Sequence, residues 1–313
     1  MQAQSFSYNV KTEIIEKINN RSKADACLMG MLACCNVLSD KEILFLTENK
    51  AAADFFIKNV CRILEDEGAV SIAAAERKSG VVLYSLTIPH KEQRIYLLDH
   101  FGMDESRRLT EDMLPKAKYY SQLVAGIFLA CGSVNDPEKK YHMEFVMPTL
   151  ELCNDLGILL IENYGIVPKH VERKNTQIMY IKESECIIDM LTLMGASMSS
   201  IELMNVKMMK DVRNKINRAV NCDTANIEKT LRAARKQLED IELIESTMGL
   251  AALPDNLRQT AEIRYENPDF NLKELGAALD PPISRSGANH RLIKLSEIAD
   301  RIRKEKGIKP NEE

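Results

Sequence analysis

The chain has 313 residues, of which 45% are hydrophobic and 28% charged, and a formal net charge of −4. That length predicts two or three domains rather than a single core. The slight acidity excludes a global attraction to nucleic acid, so any such role must come from local basic patches. With no Trp and only 5% aromatic residues, stacking platforms for single strands are not expected.

Eight cysteines, at 27, 34, 35, 61, 131, 153, 186 and 222, show no CxxC spacing. They read as reduced core thiols, with no metal site and no cofactor. The N-terminal residues MQAQSFSYNVKTEI lack the apolar stretch of a secretory signal, and no apolar run reaches the roughly 18 residues of a membrane span. The expected location is cytoplasmic, without membrane contact.

In chain order, Ser5–Asn19 reads as an amphipathic helix with Val10, Ile14, Ile15 and Ile18 on one side. Lys23–Leu38 is a helix with small residues Ala26, Gly30 and Ala33 on one stripe. A strand over Glu42–Thr47, a helix over Asn49–Glu67 and strands over Val70–Ala75 and Val81–Ile88 follow, the two strands joined at the turn Lys78-Ser79-Gly80. A helix over Glu92–Phe101 stops at Gly102. The order then returns about 95 residues later. Tyr119–Ser133 is a helix with Gly126, Ala130 and Ser133 on one stripe, and Tyr141–Val146 is a strand. Thr149–Tyr164 is a helix ended by Gly165. Val167–Glu172 and Gln177–Ile181 are strands around Arg173-Lys174-Asn175, and Ser184–Met194 is a helix ended by Gly195. Gly30, Gly126 and Ala130 are the expected packing positions where two helices cross closely.

After a break over Gly195–Ser200, two polar connector helices are predicted, Ile201–Val220 and Ala225–Met248, separated by a cap-like turn at Asn221-Cys222-Asp223-Thr224. Lys207, Lys210, Arg213 and Arg218 offer phosphate contacts. The Asn and Arg residues of this region, Arg213, Asn214, Asn217, Arg218 and Asn221, would either hold phosphates or lock the two connector helices together.

The last residues form a three-helix pattern. Pro254 opens a helix to about Tyr265. Asn271 and Glu274 make a capping box for the second helix, and Ser284 caps the third, Arg285 to about Lys304. In that third helix Ala288, Leu292, Leu295, Ala299 and Ile302 face inward. Ser286, Asn289, His290 and Ile293 then face outward, flanked by Arg285, Arg291 and Lys294. From Ile283 to Lys309 eight basic residues stand against three acids. A capped helix, a short turn and a second helix with polar groups near its start is a helix-turn-helix, whose second helix reads the major groove. Arg285, Ser286, Asn289, His290, Arg291 and Lys294 are the candidate DNA-binding residues. The other reading of this bundle is a protein-interaction module.

The two small-striped helices resemble the paired helices of LAGLIDADG homing endonucleases. Val124–Gly132 keeps the Ala-Gly start and the final Gly of that motif, and Leu28–Asn36 keeps only the internal Gly. The resemblance implies an acid at the eighth motif position that would hold a divalent metal. Here that position is Cys131 in one copy and Cys35 in the other, and a thiol is a poor ligand for Mg²⁺. Asp136 and Glu144 are the nearest acids, read either as a turn cap and a strand-surface charge or as remnants of a divergent nuclease.

Over nearly its full length the chain resembles the WhiA family of sporulation and cell-division regulators. The residues that carry the likeness are SFSYNVKTEI, LACGSVNDPEKKYHMEF, VRNKINRAVNCDTANIEKT and LPDNLRQTAEIRYENPDFNLKELGAALDPPISRSGANHRL. The resemblance implies an α+β chain: a duplicated LAGLIDADG-like domain of αββαββα type, an all-α connector and a C-terminal three-helix helix-turn-helix domain. The expected divisions are an N-terminal segment 1–22, the duplicated domain 23–198 (half-repeats about 23–102 and 119–195), the connector 199–250, the helix-turn-helix domain 251–306 and a flexible tail 307–313. The implied function is that of a non-catalytic, nucleoid-associated regulator that binds double-stranded DNA, acting in sporulation, cell division or chromosome segregation. A WhiB-like iron–sulfur protein is an implied partner in some lineages. The alternatives are a metal-dependent endonuclease and a nucleoid-associated or protein-interaction factor.

Overall fold

The computed structural model of the chain describes residues 4–78, 80–109 and 119–307. The chain divides into two compact units, residues 1–211 and 212–313.

The first unit opens with α1 (Phe6–Glu16), whose buried Phe6, Val10 and Ile14 join the core. Two half-repeats follow. One consists of α2 (Arg21–Ala33), β1 (Val37–Leu38), β2 (Ile43–Thr47), α3 (Lys50–Leu64), β3 (Ser71–Glu76), β4 (Val82–Thr87) and α4 (Lys91–Phe101). The other consists of α5 (Tyr120–Cys131), β5 (Gly132–Val134), β6 (Met143–Met147), α6 (Leu150–Tyr164), β7 (Lys169–Arg173), β8 (Thr176–Ile181) and α7 (Ser184–Met194). Each is αββαββα, and the two antiparallel sheets have matching orders, β1-β2-β4-β3 and β5-β6-β8-β7.

The two helices read to Leu38 and Ser133 end earlier, at Ala33 and Cys131, and the residues beyond them are strands. Cys34 turns out of the helix, at φ −104° and ψ 11°, and Gly132 is already extended, at φ −87° and ψ 153°. Val37 then pairs with Leu44, and Ser133 with Glu144. Strands this short have no period of their own, so only the partner strand defines them. Two residues read as the first of their helices, Asn49 and Thr149, are the caps before them. Asn49 and Thr149 accept hydrogen bonds from Ala52 N and Leu152 N, at 2.9 and 3.2 Å. Gly102, Gly165 and Gly195 close their helices in the left-handed region. The β7–β8 hairpin turns at Lys174 and Asn175, both at positive φ. In the β3–β4 connection Ser79 lies outside the described residues, as does the tail from residue 308.

What fixes this unit is the crossing of α2 and α5. A Cβ placed on Gly30 would stand 2.2 Å from Leu123 O, and one on Gly126 would stand 1.9 Å from Cys27 O. Both contacts are with backbone, which cannot rotate away, so no side chain fits at either position. Around the crossing the core is closed by Phe45 on Phe56 and Phe128 on Phe145, at 4.9 and 5.8 Å between ring centroids.

α8 (Ser197–Met248) is one continuous helix, not the two connector helices read from the sequence. The break over Gly195–Ser200 narrows to Gly195 and Ala196. No Pro or Gly occurs between Ser197 and Met248. Asn, Asp and Thr cost only a few tenths of a kcal/mol each in a helix interior, too little to stop it at Asn221–Thr224. The helix start is held by Glu13 of α1, whose carboxylate accepts from Met198 N (2.6 Å), Ser199 N (3.0 Å) and Ser199 Oγ (2.7 Å). Gly249, at φ 77°, ends it.

In the second unit a 3-10 turn at Leu250–Ala252 leads into α9 (Asp255–Glu266), α10 (Leu272–Ala277) and α11 (Arg285–Lys306). Leu257 and Ala261 of α9, Leu275 of α10, and Ala288, Leu292, Leu295, Ala299 and Ile302 of α11 form its core. Ile241 and Ile244 of α8 are buried in the same core, so the last turns of α8 belong to it. Among the described residues no helix is long and apolar enough to cross a membrane.

The α2–α5 crossing yields a paired test. Gly126→Ala should lower stability by about 3 kcal/mol or more in urea unfolding, because the added methyl meets a carbonyl. Gly157→Ala, in mid-helix with only Met179 Cε at 3.6 Å from the added Cβ, should be neutral or raise stability by up to about 1 kcal/mol.

Candidate nucleic-acid interface

Two places merit building up from their residues: the ends of α2 and α5, and the helix-turn-helix of the second unit.

At the helix ends the positions that would carry metal-binding acids hold thiols. Cys35 is fully buried, and burial pushes its thiol up to about 12. Cys34 is raised well above the usual thiol range, first by a hydrogen bond with Cys131 and then by burial. Both therefore stay protonated and neutral near pH 7. Two cations cover the adjoining carbonyls. Arg107 Nη1 donates to Ala33 O (3.0 Å) and Cys35 O (2.6 Å) at the end of α2. Lys11 Nζ donates to Leu129 O (3.1 Å) at the end of α5 and lies 5.7 Å from the centre of the Phe128 ring. Helix C-termini attract positive charge, and here the chain supplies its own. Sequence reasoning missed Lys11 and Arg107; each acts on an element far from it in the chain, so no local pattern marks them.

The two acids nearest the second motif are occupied elsewhere. Exposed Asp136 caps its own turn, accepting from Glu138 N at 2.9 Å. Glu144, on β6, accepts from Ser133 Oγ at 3.5 Å and lies 3.1 Å from His142 Nε2. Among the described residues no three of His, Cys, Asp and Glu are grouped to hold a metal ion.

The helix-turn-helix is set by local chemistry. Asn271 caps α10 by accepting from Lys273 N and Glu274 N, and Glu274 returns the bond to Asn271 N at 2.8 Å. The turn after α10 passes close against it. Ile283 N donates to Gly276 O at 2.9 Å, and a Cβ on Gly276 would stand 2.6 Å from Ile283 O. Only glycine lets the chain return there. With its side-chain amide assigned so that the oxygen faces the N–H, Gln259 of α9 pairs with both the N–H and the C=O of Asp280, at 3.0 and 3.1 Å. Arg264 Nη1 donates to Phe270 O at 2.6 Å and holds the other turn. Ser284 caps α11 by accepting from Gly287 N. The far half of α11 is anchored to α8: buried Asp240 accepts from Ser296 Oγ and from Arg303 Nη2, both at 2.5 Å, and Arg303 also pairs with Asp300.

The first turns of α11 thus present side chains from a rigid support. Arg285, Ser286, Asn289, His290 and Lys294 are exposed on one face. Arg291 is turned toward α9, where Nη1 donates to Asn256 O at 3.2 Å and lies 3.5 Å from Thr260 Oγ1.

On α8 the four basic candidates divide. Lys207 pairs with Glu185 of α7, which raises its pKa through that hydrogen bond. Lys210 donates to Pro137 O (2.6 Å) and Glu138 O (2.8 Å) and sits 5.0 Å over the Tyr141 ring. Arg213 and Arg218 are exposed, as are Asn214, Asn217 and Asn221. The Asn residues do not lock two helices together, because there is one helix.

Two family models match the chain: the WhiA LAGLIDADG-like domain over residues 120–213 and the WhiA C-terminal HTH domain over residues 216–299. A curated protein of Clostridium perfringens (strain SM101 / Type A), named "Probable cell division protein WhiA", is 38% identical over 316 residues, covering 96% of this chain and 98% of that protein. One of the same name from Clostridium acetobutylicum is 36% identical, covering 96% and 99%. Among solved structures, full-length DUF199/WhiA from Thermatoga maritima matches with a TM-score of 0.58 and 24% identity, over 95% of this chain and 99% of that one. That likeness shows the fold, an N-terminal LAGLIDADG-like domain and a helical C-terminal region.

Lys11 supplies a pH test of the helix-end site. Burial lowers its pKa from 10.5 to about 8. Below pH 8 the ammonium is charged both folded and unfolded, and the folded state bears the whole desolvation cost. As pH rises from 8 to 10.5 the folded state sheds the proton first and that cost is relieved. Relative to Lys11→Met, the wild-type chain should gain about 1–2 kcal/mol over this window; the gain is less than the full shift because the side chain keeps some solvent contact. Urea titrations of both proteins at pH 7 and pH 10.5 measure it, and parallel pH curves would refute the placement.

Proposed function

The chain belongs to the WhiA family, and on that premise we propose that it is a non-catalytic regulator that binds double-stranded DNA through its helix-turn-helix. The observation that carries this reading is the exposed set Arg285, Ser286, Asn289, His290 and Lys294 on the capped start of α11, backed by a buried apolar stripe. A helix so held enters the major groove with its first turns against base edges, where Arg reads guanine and Asn reads adenine. Arg213 and Arg218, exposed on α8, would add phosphate contacts that set affinity without sequence preference. Arg291 acts first on α9, positioning the reading helix. Lys207 and Lys210 act within the first unit.

The non-catalytic half of the reading rests on the helix ends. Hard divalent cations need carboxylate oxygens, and the two motif positions offer thiols, with Arg107 and Lys11 on the adjoining carbonyls. Like its relatives named as cell division proteins, the chain would act on genes of cell division, and of sporulation or chromosome segregation, in association with the nucleoid. Among its expected contacts we include a WhiB-like iron–sulfur protein in lineages that have one.

Gel-shift titration of genomic fragments with the full-length protein tests the reading. Arg285→Ala and Asn289→Ala should each weaken specific binding by about 1–3 kcal/mol, roughly 5- to 150-fold. Arg218→Ala should weaken binding evenly across sequences and flatten the salt dependence. Unchanged binding in both α11 variants would remove that helix from the interface. Incubation of supercoiled DNA with Mg²⁺ or Mn²⁺ should leave it intact; cleavage abolished by Asp136→Asn would favour the endonuclease reading instead.

A further inference from the structure

Of the residues that face outward on α11, Ile293 has no part in the reading above. It is 49% exposed and, among the described residues, is the one large apolar side chain exposed along that helix. Ala288, Leu292, Leu295, Ala299 and Ile302 already give the bundle its buried face, so the core does not need Ile293. With 3.6 residues per turn it falls between Asn289 and His290 around the helix axis, close to the line of Ser286. All three of those polar side chains are exposed. Exposed Glu297 follows one turn later on the same side, and a carboxylate is repelled by phosphate. Ile293 is therefore the last residue of this stripe suited to a DNA groove.

The base edges in the major groove offer donors, acceptors and one apolar group, the 5-methyl of thymine. An isoleucine set against a donor or acceptor leaves that group unpaired, which weakens binding. Set against the methyl, it removes apolar surface from water. Its β-branch also holds one χ1 rotamer in a helix, so the contact costs little side-chain entropy. We propose that Ile293 is a specificity-determining residue that reads the 5-methyl group of a thymine in the DNA site. This role deepens the helix-turn-helix reading and rests on it. Asn289 stands one turn earlier, about 6 Å along the helix axis, and base pairs stack about 3.4 Å apart. With α11 lying along the groove, the thymine falls within about two base pairs of the adenine that Asn289 reads.

The test uses the full chain and the genomic fragment that it binds most tightly in gel-shift titration. That fragment is trimmed to its footprint and synthesised with thymidine or with deoxyuridine throughout, so the two duplexes differ only in the 5-methyl groups. The wild type should bind the deoxyuridine duplex roughly 3- to 5-fold more weakly, the worth of one buried methyl. Ile293→Ala, which leaves the buried face of α11 untouched, should lose a similar factor on the thymidine duplex and bind both duplexes alike. Asn289→Ala should weaken binding to both and keep the thymidine preference. One thymidine returned to the deoxyuridine duplex, within about two base pairs of the adenine, should restore wild-type affinity and leave Ile293→Ala unchanged. Equal wild-type binding to the two duplexes, or an Ile293→Ala variant that keeps the full thymidine preference, would overturn the proposal and leave the helix-turn-helix reading standing. Wild-type binding by both Arg285→Ala and Asn289→Ala would overturn that reading, and the role of Ile293 with it.

Discussion

The contact of α2 with α5 at Gly30 and Gly126 is the constraint on which the first unit depends. With no Cβ on either glycine, backbone rests on backbone, and the two half-repeats share one core from Phe6 to Leu203. The matching strand orders of the two sheets follow from a duplicated αββαββα unit meeting its copy along this line. Any residue larger than glycine would drive the helices apart and open the core on both sides.

The same close crossing brings the two helix ends together and decides what can sit there. Thiols occupy the motif positions, and Arg107 and Lys11 satisfy the last carbonyls. Divalent-metal chemistry needs negative ligands converging on one point; here two thiols stand where the acids would be, with two cations on the adjoining carbonyls. The second unit concentrates its resources differently. Its core is small, so rigidity comes from specific polar locks: the Asn271–Glu274 box, Gln259 on Asp280, and Asp240 held by Ser296 and Arg303. These locks leave the first turns of α11 free to present Arg285, Asn289 and His290 outward.

Much of this was legible in the sequence where local rules govern. Asn271 and Ser284 cap the helices they announce, and Gly102, Gly165 and Gly195 end theirs. The inward stripe of α11 was set by its spacing alone. Readings that needed a distant partner went astray. β1 and β5 exist only through β2 and β6. Asn221-Cys222-Asp223-Thr224 has the residues of a cap, yet without a Pro or Gly to break it the helix runs on. Lys207, Lys210 and Arg291 look like free cations in sequence, but Glu185, Pro137 and Asn256 meet them across the fold. A charge pattern shows where a cation is, never whom it faces.

The central claim is that specific reading of DNA lies in the exposed first turns of α11. Sequencing the DNA that co-precipitates with the full-length protein from cells, for the wild type and for the Arg285→Ala/Asn289→Ala variant, tests it most directly. The account predicts narrow peaks sharing one motif in the wild type and loss of that motif, with residual even coverage, in the variant. Peaks and motif unchanged in the variant, or even coverage from the outset, would contradict it.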